Sequence, residues 1–202
     1  MQTFKILFCN VLFVMLFSTC GQAQKLKYGI KGGVNVSDFS LRTNAFSQGI
    51  KNIWKPMILS HLGGYVERPL NQTFSLQTEL LFAINGSNVS LSKAYAHYLS
   101  MPVLLNVNLK KRLILELGPQ LSLVHKSKQS LLLMNSKVDF AMTAGLKVNV
   151  SPSVNIGLRC VQGLAPLSNW LRTVDSQGNS KVLRDFYSRN LQLSVAYQLS
   201  KH

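Results

Sequence analysis

The sequence predicts an all-β protein, an eight-stranded antiparallel up-and-down transmembrane β-barrel preceded by a cleaved signal peptide. Three observations predict it: a short apolar leader at the N-terminus, a period-two alternation of apolar and polar residues through the rest of the chain, and connections that alternate between short and long.

In the leader, Lys5 precedes the apolar run from Ile6 to Phe17, and the small and polar stretch Ser18 to Ala23 follows. These are the three parts of a secretory signal. A spanning helix needs about twenty apolar residues, whereas this run is shorter, is interrupted by Asn10 and ends in Gly21-Gln22-Ala23. Cleavage is expected after Ala23, so that residues 1–23 are the signal and 24–202 the barrel domain. Cys20 offers a lipoprotein alternative, which Thr19 before it disfavours. Cys9 and Cys20 leave with the signal, and Cys160 alone cannot form an internal disulfide or a metal site. Among apolar neighbours such as Leu158, it reads as an inert small hydrophobe.

With the signal goes Lys5, and the formal net charge of +15 falls to +14. A basic excess points to nucleic acid or to an anionic membrane surface. Export argues against nucleic acid, and no nucleic-acid-binding motif is present. The partners expected are outer-membrane lipid, the phosphates and anionic sugars of lipopolysaccharide, and the barrel-assembly machinery.

The alternation is clearest toward the C-terminus. Leu191, Leu193, Val195, Tyr197 and Leu199 share one parity, and Asn190, Gln192, Ser194, Ala196 and Gln198 the other. Phe140 to Val150 repeats the pattern against Asp139, Thr143, Gly145, Lys147 and Asn149, and Val154 to Cys160 repeats it against Asn155, Gly157 and Arg159. Leu99 to Leu109, Leu113 to Leu123, Phe74 to Phe82 and Tyr28 to Val36 follow with more noise, and a weaker strand lies around His61 to Pro69. About eight strands result, the smallest number usual for an outer-membrane barrel. After the leader, no apolar run reaches the length of a spanning helix.

Parity alone does not decide which face is buried. Gly, Ser, Asn, Gln and Thr dominate the polar face, which suits a narrow lumen better than a solvated exterior. Connections at Asn71-Gln72, Lys110-Lys111 and Ser151-Pro152 are short, whereas Ser37 to Pro56, Asn85 to Ala96, Lys126 to Lys137 and Leu164 to Arg189 are long. Short periplasmic turns and long outer loops are the membrane-barrel arrangement. Pro102 and Pro119 fall inside proposed strands, where a missing ladder donor calls for a bulge or a rim position. Trp54, Tyr65, Tyr95, Tyr98, Trp170, Tyr187 and Tyr197 read mostly as an interfacial girdle, with Trp54 and Trp170 in long loops where they could also meet a partner or a glycan.

Several short motifs appear in the order and spacing of one family. Tyr28-Gly29-Ile30-Lys31-Gly32-Gly33-Val34-Asn35, Leu76-Gln77-Thr78-Glu79-Leu80-Leu81 and Tyr98-Leu99-Ser100-Met101-Pro102-Val103-Leu104-Leu105 resemble the glycine-rich first strand, the Gln-x-Glu-Leu strand and the Tyr-Leu-x-x-Pro strand of the PorT-like outer-membrane β-barrel family of Bacteroidetes. Gly118-Pro119, Asp139, Arg159 with Gly163-Leu164, and Asn190 continue the resemblance over nearly the whole mature chain. It implies the barrel fold, an outer-membrane location, and a structural or accessory role in protein export or surface assembly alongside secretion components.

No catalytic constellation, cofactor motif or metal-ligand spacing emerges. His61, His97, His125 and His202 lie on separate segments. His61 would approach Glu79 if their strands pair around Asn71-Gln72, a faint acid/base dyad that is more simply a hydrogen-bonded lumen histidine. Asn85-Gly86-Ser87 and Asn88-Val89-Ser90 match the glycosylation sequon but read as turn-forming loop residues. Gly32-Gly33 and Gly63-Gly64 precede no helix and so are not phosphate loops. They relieve crowding or permit strand coiling.

The candidate site is the polar face itself, where Lys31, Lys147 and Arg159 share parity with Glu67, Glu79, Glu116 and Asp139. Both signs on one narrow face predict a buried ion network with Arg159 forking toward carboxylates of several strands. Three functions are compatible with such a chain: a non-enzymatic structural or accessory barrel, a small pore or ligand-binding barrel, and a lipid-modifying barrel enzyme. The first is expected.

Overall fold

The structure, a computed structural model, describes residues 26–41, 54–89, 92–110, 112–126, 137–165, 171–174, 180–183 and 186–200. The leader and its cleavage point lie outside the described residues. Among the described residues no helix is long and apolar enough to cross a membrane.

Among the described residues ten strands form: β1 Lys27–Leu41, β2 Trp54–Pro69, β3 Phe74–Val89, β4 Ser92–Lys110, β5 Leu113–Lys126, β6 Val138–Asn149, β7 Val154–Gly163, β8 Leu171–Val174, β9 Ser180–Leu183 and β10 Phe186–Gln198. Eight of them close a barrel in the order β1-β10-β7-β6-β5-β4-β3-β2, every pair antiparallel. The last long connection carries a separate two-stranded hairpin, β8 with β9.

Exposure settles what parity could not. The apolar face points outward, with Leu62 66 % and Leu158 51 % exposed, while the polar partners between them are buried. In water such a wall would be a continuous apolar surface far larger than a soluble monomer shows; in a bilayer it is the lipid contact. Cys160 lies on this outer wall. Closure pairs the edges of the sheet, so the backbone donors and acceptors of the spanning strands are satisfied in hydrocarbon.

Two of the short turns are held by side-chain oxygens that stand in for backbone acceptors. Asn71 Oδ1 accepts from the amides of Thr73 and Phe74 at 2.8 and 2.7 Å, and Ser151 Oγ accepts from those of Ser153 and Val154 at 3.3 and 3.0 Å. The opposite ends differ from expectation. Asn85 to Ala96 is not a loop: β3 and β4 stay paired as far as Val89 and Ser92. Asn85-Gly86-Ser87 therefore lies on a strand, and Asn85 turns inward to accept from Asn35 Nδ2 at 2.7 Å.

The two prolines sit neither at a bulge nor at a rim. Pairing of β3 with β4 keeps one register from Thr78↔Val103 to Leu81↔Ser100, with the two pairs between them missing from the ladder around Pro102. Likewise β4 and β5 keep register from Pro102↔Gln120 to Leu105↔Leu117, with a gap around Pro119. Each proline costs a local ladder bond, and the long flanking ladders hold the register across it.

The girdle is only partly as expected. Tyr28 and Tyr197 point outward near the short-turn end, but Tyr65 and Tyr98 point inward and are buried, because they share parity with the lumen residues Gly63 and Ser100. Tyr95 and Tyr187 are partly exposed. Trp170 and the side chain of Trp54 lie outside the described residues.

Protease added to intact cells is expected to leave the short turns at Asn71 and Ser151, on the periplasmic side, uncut. Cleavage at either short turn would reverse the topology.

Candidate functional site

The polar face closes on itself inside the barrel. Arg159 on β7 donates from Nη1 to Glu79 Oε2 at 2.8 Å and from Nη2 to Glu79 Oε1 at 2.9 Å. Nη2 also pairs with Glu116 Oε2 on β5. Lys31 on β1 reaches Glu79 Oε1 at 3.1 Å. Gln77 donates to the same carboxylate and accepts from Asn106 Nδ2 and Lys147 Nζ, both at 2.8 Å. Lys147 stands 3.7 Å from Glu67, which in turn accepts from Ser75 Oγ at 2.6 Å.

Six of the seven charged residues singled out from parity thus form one connected group, three cations with three carboxylates. Arg159 is 1 % exposed and Glu116 fully buried. Burial of single charges at this depth would be prohibitive; paired, balanced and bidentate, the cost of desolvation is offset by Coulomb attraction and charge-assisted hydrogen bonds. Asp139 stands apart. It accepts from Ser188 Oγ at 2.6 Å and has no ion pair among the described residues.

Glycines make room for this group. Glu116, Gly145 and Arg159 are neighbours along one row of the ladder. A side chain at Gly145 would rise between the two ionic partners, its Cβ already 3.2 Å from that of Arg159. Lys31 stands directly opposite Gly63 in the β1/β2 pairing. The Gly145 signal was present in the sequence as a residue on lumen parity between charged strands, but its row partners depend on the register.

Nearer the long-connection end, at the level of Asp139, the lumen is lined mostly by uncharged polar groups. Ser100 and Ser122 share a hydrogen bond at 2.9 Å, and Gln120 links Ser122 to Thr143 at 3.2 Å on each side. His61 is buried here with neither ring nitrogen partnered. It stands opposite Ala83, whereas Glu79 stands opposite Tyr65 and is taken up by Arg159, Lys31 and Gln77. The geometry does not bring His61 and Glu79 together as a dyad. No group of three or more metal-ligating side chains occurs among the described residues.

An apolar outer wall around a lumen filled by its own charges defines a small integral membrane barrel. The outer membrane protein beta-barrel domain family matches residues 22–169, and the chain belongs to that family. The protein resides in the outer membrane. Its fold is similar to that of Neisserial surface protein A, at 10 % identity and a TM-score of 0.53, over 84 % of this chain and 96 % of that one. Ail, the attachment invasion locus protein of Yersinia pestis, aligns at 14 % identity over 86 % of this chain and 98 % of that one, with a TM-score of 0.49. No curated protein matches the sequence.

Proposed function

We propose that this is a non-enzymatic outer-membrane barrel with a structural or accessory role in protein export or surface assembly, the role that its resemblance to the PorT-like family of Bacteroidetes implies. The observation that carries the reading is the ion network across the lumen. Eight strands leave an interior just wide enough for side chains to fill, and here paired charges and amides cross its middle. A barrel shut in this way acts through its ends and its outer wall. Lipopolysaccharide and outer-membrane lipid are the partners of that wall, the barrel-assembly machinery its route of insertion, and secretion or surface-assembly components the partners of its ends.

The purified protein is expected to give no steady ion conduction in a planar bilayer, and a deletion strain to lose exported or surface-assembled proteins. A reproducible channel of porin size, with the surface proteins unchanged, would overturn the reading in favour of a pore.

A further inference from the structure

Inside the short-turn end lies a polar cavity of about 510 Å³, within the range of small-molecule sites. Its wall includes Lys27, Arg112 and Lys147 against a single carboxylate, Glu67. Lys27 stands opposite Glu67 in the ladder. The Glu67 carboxylate, however, is engaged by Ser75 and Lys147, and neither Lys27 nor Arg112 has an ion-pair partner among the described residues. Around these cations stand hydrogen-bonding amides and hydroxyls, among them Asn71, Ser75, Asn108 and Asn155. Toward the barrel's middle, Lys147 in the cavity wall donates to Gln77 of the lumen network.

We propose that this cavity binds a small multivalent anion of the carboxylate or phosphate class, entering from the periplasm. The surplus of two unpaired cations over a polar concave wall supplies charge complementarity, and the guanidinium of Arg112 can fork onto either kind of oxyanion. Lys147 is the third contact. Its approach to Glu67, at 3.7 Å, is the longest of the four ion pairs in the lumen, so an entering anion can share its ammonium without breaking the Arg159 centre. The ligand cannot pass through. The site is a receptor on the inner face of a closed barrel, independent of the export role proposed above.

The test is calorimetric titration of the intact protein in a neutral detergent at low salt, with citrate in one arm and pyrophosphate in the other to separate carboxylate from phosphate. Saturable one-site binding of at least one probe is expected, weakened tenfold or more in Lys27→Ala/Arg112→Ala. It should change less than twofold in Lys137→Ala/Arg189→Ala, which removes the same charge at the other end. Absence of saturable binding in both arms, or equal losses in the two double variants, would overturn the site and reduce the effect to overall charge. Should the first variant fail to fold, amide shifts in the wild-type protein decide: the probe should move Asn71, Ser75 and Asn155, and shifts confined to other regions would be equally fatal.

Discussion

Arg159→Met is expected to destabilise the folded barrel by about 3–5 kcal/mol, the cost of leaving buried carboxylates without their cation. Glu79 keeps Lys31 after the change, but Glu116 keeps nothing, because Arg159 is its only ion-pair partner among the described residues. The second substitution that relieves the damage is therefore Glu116→Gln, which leaves two cations facing two carboxylates. Glu79→Gln should not rescue it, since it strands Lys31 as well. The two double variants are close enough to couple strongly, so urea unfolding in detergent micelles should separate them clearly. As a control, Arg189→Met removes an exposed cation at the long-connection end and should stay near wild type. Equal unfolding midpoints for Arg159→Met and Arg189→Met would reduce the network to solvated filler.

Gly63→Val should be among the most damaging single changes outside that network, with Gly64→Ala close to neutral beside it. A Cβ at Gly63 would lie 2.0 Å from the carbonyl oxygen of Leu80 and 2.8 Å from the Cα of Leu81, both backbone atoms of the neighbouring strand. Neither can yield without opening the β2/β3 pairing, and a branched side chain must then also enter the space beside Lys31. Overpacking of this kind costs about 3 kcal/mol. At Gly64 the side chain points to lipid, and the nearest atom, the oxygen of Gly29, is at an ordinary 3.5 Å. Heat-modifiable gel mobility, which reports the closed barrel, should be lost or shifted to low temperature in Gly63→Val alone. Similar melting of the two variants would show that the strands are looser than this contact allows.

Both expectations combine what sequence shows with what it hides. The strand positions follow from period-two alternation because a residue cannot change face without shifting the whole strand, and Leu191 to Leu199 or Phe140 to Val150 leave no second solution. The membership of the charged set followed from the same parity: residues that alternate with lipid-facing leucines have only the lumen to enter. Asp139 obeyed that rule and still fell outside the group, since parity assigns a face and says nothing of height along the axis. Its pairing with Ser122 sets it near the long-connection end of β6, away from the level of Arg159. Tyr65 and Tyr98 went astray when proximity to a strand end was weighed above parity.

The sequence by itself determined the class of fold, the number of spanning strands and which charges share one face, because all three rest on local periodicity. Only the tertiary structure decided that the apolar face is the outer one and that Arg159 is the single ion-pair partner of Glu116 among the described residues. It also assigned Gly145 to the row between those two and left Lys27 and Arg112 without an ion-pair partner among the described residues, over a cavity. Those facts depend on register between strands far apart in the chain, where closure of the barrel, and not any local pattern, sets which side chains meet.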